Sequence, residues 1–229
     1  MLEAIVLAGG FGTRLRELVP DTPKPMALVA GRPFLDILLT ALANKGFGRV
    51  ILSLGYKAEE ISDYFGQRFC GLELVYVVET DPLGTGGAVR LAMEQCTQDH
   101  VFVFNGDTYL DLEVDAVESQ WQRTRRPIIV ARQVSETERY GRLAIDGDLV
   151  VGFNEKGICG EGHINAGCYL FATGQLGEFA LDQPFSLELD YLSRAVKKHK
   201  FGVHVTAGQF IDIGVPADYL RAQSELLGR

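Results

Sequence analysis

Cysteine, histidine and tryptophan are scarce in this chain: four, four and one among 229 residues. Cys70, Cys96, Cys159 and Cys168 form no CxxC pair and stand at no zinc-ligand spacing from a histidine. That argues against a metal site of nitrogen and sulfur ligands and leaves the thiols as expected core residues. Positive charge is also short. Twenty-two Lys and Arg face 30 Asp and Glu, a net charge of −8, so no dominant basic surface is available for nucleic acid or an anionic membrane. An anionic ligand must therefore be met locally. No apolar run approaches the roughly 20 residues of a membrane span, and the acidic Glu3 stands where a signal peptide is basic. The expected location is the cytoplasm.

What is present describes a packed globule. Hydrophobic residues make up 47% and charged residues 23% of the chain, without biased, repetitive or linker-like stretches, and one domain over residues 1–229 is expected. The run from Ala4 to Ala8 is apolar, β-branched and halted by Gly9-Gly10, as a buried parallel strand is. Helical spacing of Phe34, Ile37, Leu38, Ala41 and Leu42 predicts a helix from Pro33 to Lys45, and Arg49 to Leu54 reads as the next strand. A helix at Ala58 to Phe65, a strand at Leu74 to Val78, a helix at Gly86 to Glu94 and a strand at Val101 to Phe104 continue the alternation. Such a rhythm predicts an α/β fold with a doubly wound sheet, whose ligands collect beyond the carboxyl ends of the strands. Past about residue 127 strands follow one another: Ile128 to Gln133, Leu143 to Ile145, Leu149 to Phe153 and Ala166 to Phe171. Asp146-Gly147-Asp148 reads as a hairpin turn. Helices are expected again at Glu188 to His199 and Ala217 to Leu227, around a strand near Val203 to Thr206.

The segment LAGGFGTRLRELVPDTPKP carries the most chemical information. Gly9, Gly10 and Gly12, directly after a strand, allow the backbone to pass close to a phosphate chain and to present amide hydrogens to it. Arg14 and Lys24 add positive charge, and prolines flank Lys24 on both sides. The loop matches neither the GxGxxG fingerprint nor a Walker loop.

GGFGTR followed by PKP resembles the opening motif of the sugar-1-phosphate nucleotidyltransferases. Further elements match in order: Pro82-Leu83-Gly84-Thr85-Gly86-Gly87, Asn105-Gly106-Asp107, Tyr140-Gly141, Phe153-Asn154-Glu155-Lys156, Asn165-Ala166-Gly167 and Asp212-Ile213-Gly214. The resemblance spans nearly the whole chain. It implies a Rossmann-like three-layer α/β/α fold with a mostly parallel central sheet, of the nucleotide-diphospho-sugar transferase type. It also implies a nucleotide-binding part over about residues 1–126 and a sugar-binding part over about 127–229. In this family the oxygen of a sugar 1-phosphate attacks the α-phosphorus of a nucleoside triphosphate and pyrophosphate leaves. The nucleophile is already an anion, so the work is to assemble two polyanions and neutralise charge in the transition state.

The resemblance implies a role for each matching residue. Arg14 holds the leaving pyrophosphate, Lys24 reaches the reacting phosphates, and Lys156 clamps the sugar phosphate. Leu7, Ala8, Gly9, Gly10, Gly12, Thr13, Glu79, Gly84 and Thr85 form the nucleotide site, and Gly141, Glu155 and Asn165 meet the sugar. Asp107 and Asp212 each sit on a rigid apolar segment, and Mg²⁺ characteristically takes one or two protein carboxylates together with waters and substrate phosphates. Glu188 could reach the sugar pocket, although a helix-first-turn acid is the simpler reading.

Glu79 bears on the base, because relatives that use thymidine or uridine nucleotides often carry glutamine there. A carboxylate accepts from two adjacent donors, as guanine's N1–H and N2 amino group are, and opposes the carbonyl oxygens of uracil. Cytosine also offers an amino donor, and a Glu79 facing solvent would carry no such information. The segments MLEAIVLAGGFGTRLR, GYKAEEI and PLGTGGAVRLA resemble bacterial D-glycero-α-D-manno-heptose 1-phosphate guanylyltransferases. That implies GTP as nucleotide and GDP-heptose, a precursor of cell-surface glycans, as product. Two alternatives stay open: a uridylyltransferase for an amino-sugar phosphate such as that of N-acetylmuramate, and an inactive homologue that binds nucleotide sugars. Phe210 stands where many relatives have tryptophan, a change expected to alter packing. The chain stops soon after the DIG motif, so a stand-alone transferase is expected, with its oligomeric state, a homo-oligomer included, left open.

Overall fold

The computed structural model of the chain describes residues 1–10, 15, 19, 22–154, 157 and 159–228. Its first half runs β1 (Leu2–Leu7), β2 (Leu28–Val29), β3 (Arg32–Pro33), α1 (Phe34–Asn44), β4 (Phe47–Leu54), α2 (Ala58–Phe65), β5 (Arg68–Phe69) and β6 (Leu72–Val78). It continues with α3 (Gly84–Met93), β7 (His100–Asn105), β8 (Thr108–Leu110) and α4 (Val114–Thr124). The second half runs β9 (Ile128–Val134), β10 (Arg142–Asp146), β11 (Leu149–Asn154), β12 (Gly162–Ala172), α5 (Ser193–Lys198), β13 (Phe201–Thr206), β14 (Phe210–Asp212) and α6 (Pro216–Glu225).

One ten-stranded sheet crosses the whole fold in the order β10-β11-β13-β9-β12-β7-β1-β4-β6-β5. Strand β1 lies between β4 and β7 and is parallel to both, with Val6 opposite Leu52 on one side and Phe104 on the other. Two parallel neighbours running off to opposite sides make the carboxyl end of β1 a topological switch point, where a crevice opens. The sheet is parallel through β7-β1-β4-β6, where strands alternate with helices. Strand β12 is antiparallel to both β7 and β9, which refines the mostly parallel arrangement expected from the sequence into a mixed sheet.

Side-chain alternation along β1 explains the three layers. Ala4 and Val6 pack with Leu35, Leu38 and Leu42 of α1, Ile61 of α2 and Trp121 of α4. Ile5 faces the opposite layer, with Val89, Ala92 and Met93 of α3 and Val196 of α5. Both faces are therefore apolar, which is why the strand reads as a continuous hydrophobic run. A smaller cluster of Phe34, Ile37, Tyr109, Ile211, Ile213 and Ala222 seats the β8–β14 ribbon beneath α6. Among the described residues, no helix is long and apolar enough to cross a membrane.

Most of the predicted elements recur within a few residues of their expected ends, and Gly147-Asp148 joins β10 to β11 as the Asx-Gly pair predicts. Other features differ. The helix expected from Glu188 to His199 is a π-helical segment, Leu187–Leu192, followed by α5, with the Ser186 hydroxyl accepting the Leu189 amide at its start. Helix α4 and the β8–β14 ribbon were not anticipated. Of the cysteines expected to be buried, only Cys168 is: Cys96 is half-buried, and Cys70 and Cys159 are exposed, Cys70 on a turn with φ +48°.

Candidate active site

The site grows from turns that meet beyond β1 and β7. The Gly106 amide donates to the Leu7 carbonyl at 2.9 Å, tying the end of β7 to the end of β1. A side chain at 106 would strike that carbonyl, so only glycine permits the approach. This contact aims Asn105 and Asp107 into the crevice.

Asp212 arrives from the far end of the chain. Strand β14 pairs antiparallel with β8, setting Asp212 opposite Thr108, and the Ile213 amide donates to the Asp107 carbonyl at 2.9 Å. A two-strand ribbon of three residues each thus brings together carboxylates that are remote in sequence. Lys24, on a single turn of 3₁₀ helix entered through Pro23, makes an ion pair with Asp107. A Cβ on Gly214 would lie 2.7 Å from Asp212 Oδ1 and 3.3 Å from Lys24 Nζ, which explains the glycine of the DIG segment.

Burial pushes the Asp212 carboxyl above its ordinary value, and the neighbouring Asp107 charge pushes it the same way, against the opposing effects of Lys24 and the Gly214 amide. Such a pair is a poor solution for a carboxylate in isolation and a good one for a carboxylate that receives a cation. Among the described residues, no group of three or more His, Cys, Asp and Glu side chains gathers as a metal cage. Two carboxylates alone fit a hard divalent ion that completes its shell with phosphate oxygens and water.

Two cavities share this centre. One, of about 300 Å³, is lined by Leu7, Ala8, Gly9, Gly10, Glu79, Gly84 and Thr85, every described member of the expected nucleotide set, together with Lys24 and Asp107. The other, of about 490 Å³, is lined by Gly141, Asn165, Asp107 and Asp212. Thr85, Asn105 and Asp107 border both. Arg14, Gly12, Thr13, Glu155 and Lys156 lie outside the described residues.

Glu79 does not face solvent alone. Its Oε2 accepts the Leu83 amide at 2.8 Å, and its Oε1 lies 3.5 Å from the Ser53 hydroxyl. A carboxylate has about four lone-pair sites, so capacity for a ligand's donors remains. Glu188 both opens the π-helical segment and lines the second cavity, so the simpler reading of it as a plain helix acid is incomplete. Its carboxylate accepts from the Thr85 hydroxyl at 2.8 Å and from the Tyr169 hydroxyl at 3.3 Å. Tyr169 in turn accepts from the Asn165 amide at 2.6 Å, so a hydrogen-bonded chain joins the two cavities. Sequence reasoning passed over Tyr169, Ser186 and Asn105. Only Asn105 carried a signal, as a member of the NGD motif.

The family model described as nucleotidyl transferase matches residues 3–229. The chain is 39% identical over 226 residues to the D-glycero-alpha-D-manno-heptose 1-phosphate guanylyltransferase of Aneurinibacillus thermoaerophilus, covering 98% of each protein. It is 37% identical over 219 residues to the enzyme of the same name from Campylobacter jejuni, covering 95% of this chain and 97% of the relative. Crystal structures of HddC from Yersinia pseudotuberculosis superpose with TM-scores of 0.88 and, for the complex with GMP-PN, 0.87. Both are 37% identical in sequence, covering 98% of this chain and 99% of that one.

Proposed function

The chain belongs to the nucleotidyl transferase family, and from that premise we propose that it transfers GMP from GTP to D-glycero-α-D-manno-heptose 1-phosphate, releasing pyrophosphate and forming GDP-heptose. The observation that carries this reading is the shared wall of the two cavities. Asp107 borders both, with Lys24 on the first side and Asp212 on the second. A nucleoside triphosphate in the first and a sugar phosphate in the second would meet across that wall.

Each residue then has defined work. The backbone of Leu7 to Gly10 bounds the nucleotide cavity; Gly9 packs closely on the Gly55 backbone, and Gly10 has open space where a Cβ would stand. Lys24, with 10% of its side chain exposed and paired with Asp107, stands where it would counter the charge of the reacting phosphates. Asp107 and Asp212 would hold a divalent ion, Mg²⁺ on this reading, whose chemistry is to neutralise phosphate charge as the bond to pyrophosphate breaks. Gly141 and Asn165 present polar groups to the sugar. Arg14 for the pyrophosphate, and Glu155 and Lys156 for the sugar phosphate, complete the set by their match to the family motifs. The nucleotide part then spans about residues 1–126 and the sugar part about 127–229, with Asp212 crossing back to join Asp107. On this reading the transfer takes place in the cytoplasm.

The guanine preference rests on Glu79, whose carboxylate borders the nucleotide cavity with acceptor capacity to spare. The guanylyltransferase relatives weigh in the same direction and against a uridylyl reading. The test is pyrophosphate release with Mg²⁺ and heptose 1-phosphate, run in parallel with GTP, UTP, CTP, dTTP and ATP. GTP is expected to be the best donor. Release with UTP exceeding that with GTP would overturn the base assignment, and no release with any donor and any sugar 1-phosphate would overturn the reading as a whole.

A further inference from the structure

The segment 135–141, between β9 and β10, forms one wall of the second cavity through Tyr140 and Gly141. On the sugar side the backbone fixes it: Asn165 N donates to Gly141 O at 2.9 Å, and Gly157 N donates to Glu138 O at 2.8 Å. On the opposite side a side-chain pair reaches helix α6. Arg139 Nη2 donates to Asp218 Oδ2 at 2.7 Å, while Arg221 Nη2 stands 3.5 Å from Oδ1. The Arg139 guanidinium also lies over the Tyr140 ring, 5.4 Å from its centroid, and donates to the Tyr140 hydroxyl at 3.1 Å. The Tyr140 ring meets Phe210 edge-on at 5.8 Å.

These contacts place a single guanidinium between the cavity wall and helix α6, which follows the strand that carries Asp212. Helix α6 begins at Pro216, just beyond the DIG segment, and Phe210 and Asp212 lie together on β14. Arg139 is half-exposed and Asp218 is 8% exposed in its side chain. Arg221 stays beside Asp218 when Arg139 is replaced, so the buried carboxylate keeps a cation and the cost to stability is small. The geometry of the Arg139 pair, however, is specific: one group reads the register of segment 135–141 against α6 and, through the ring, against Phe210.

We infer that Arg139 and Asp218 are positioning residues for the transfer reaction, their ion pair holding Tyr140 on Phe210 so that the wall of the sugar cavity stays in register with Asp212. This rests on the reading of the second cavity as the sugar 1-phosphate site. Misplacement of a bound group by a fraction of its own size is costly to a reaction that depends on alignment. Loss of the pair should therefore act on the sugar substrate and spare the nucleotide.

The test uses the full chain carrying Arg139→Met, Arg139→Lys or Asp218→Asn, with pyrophosphate release measured while each substrate is varied in turn. Arg139→Met and Asp218→Asn are expected to lower kcat/KM for the sugar 1-phosphate about tenfold, with the KM for GTP within about twofold of the parent. Arg139→Lys, which keeps the charge, is expected to recover most of the loss. Hydrogen exchange at the Tyr140 and Gly141 amides is expected to quicken in Arg139→Met at an unchanged melting temperature. Unchanged sugar kinetics together with unchanged exchange in Arg139→Met would overturn the inference, as would an equal effect on both substrates accompanied by a lowered melting temperature. If the parent releases no pyrophosphate, the functional reading fails on that result, and the exchange rates still decide whether the pair holds the segment.

Discussion

At the amino end of β1 the Glu3 carboxylate is wholly buried and wholly answered, whereas near the carboxyl end the part-buried Asp212 has fewer partners among the described residues. Glu3 accepts from the Thr97 hydroxyl at 2.7 Å, the Thr97 amide at 2.9 Å, the Gln98 amide at 3.0 Å and Arg49 at 2.9 Å. Burial alone would raise its pKa, but these four partners outweigh it and hold the group below the ordinary value. Among the described residues, the Asp212 carboxylate takes one hydrogen bond, from Gly214 at 2.6 Å, and its pKa rises. Burial acts in the same direction on both groups, so the partners decide the sign. Among the described residues, the carboxylate that serves the fold is answered by the chain, and the one proposed to receive a cation takes a single hydrogen bond.

The largest effect that could break this contrast is expected at Lys24. Lys24→Met removes the cation paired with Asp107 and should lower kcat by about 10³-fold, seen in steady-state pyrophosphate release, with the fold intact by circular dichroism. At the opposite end, Glu3→Gln should cost about 3 kcal/mol in urea unfolding, because it removes the buried charge that Arg49 faces and sets an amide donor against the amides of Thr97 and Gln98. The folded protein's kcat should be unchanged. A loss of activity in folded Glu3→Gln protein would dissolve the division between the two ends.

A pH scan sharpens the same point. Since Glu3 is held below its ordinary value of 4.5, its ionised form contributes stability that is complete above that pH and lost as the pH falls through the folded value. The melting temperature of the parent should therefore drop more steeply than that of Glu3→Gln below about pH 4.5, and equal slopes would show that Glu3 is not the group responsible. The smallest expected effect is on specificity. Glu79→Gln should reduce the GTP-to-UTP ratio of kcat/KM about tenfold, an effect of about 1.4 kcal/mol, measured by competition between the two nucleotides.

Much of the site was legible because its parts are local. Gly9-Gly10, Lys24 between prolines, PLGTGG and NGD are short segments whose residue types state their backbone needs, and each lines the first cavity. The meeting of Asp107 with Asp212 was legible only through family resemblance. Its physical cause, the β8–β14 ribbon, consists of two three-residue strands too short to show a period. Helix α4 did carry a signal, with Val114, Val117 and Trp121 buried at helical spacing, but its polar remainder masks it. Contacts such as Tyr169 to Glu188 and Arg139 to Asp218 connect positions with no shared motif, and only packing brings them together. The exposed Cys70 and Cys159 show the limit of composition: a residue type that favours the interior is overruled where a turn places it outside.

The most direct measurement is the paired determination of rate and stability for Asp212→Asn. The substitution keeps the side chain's size and removes one of two mutually repelling charges, so kcat should fall about 10³-fold while the melting temperature holds or rises. A variant that keeps the parent's rate, or one that loses stability as Glu3→Gln is expected to, would contradict the assignment of Asp212 to the chemistry.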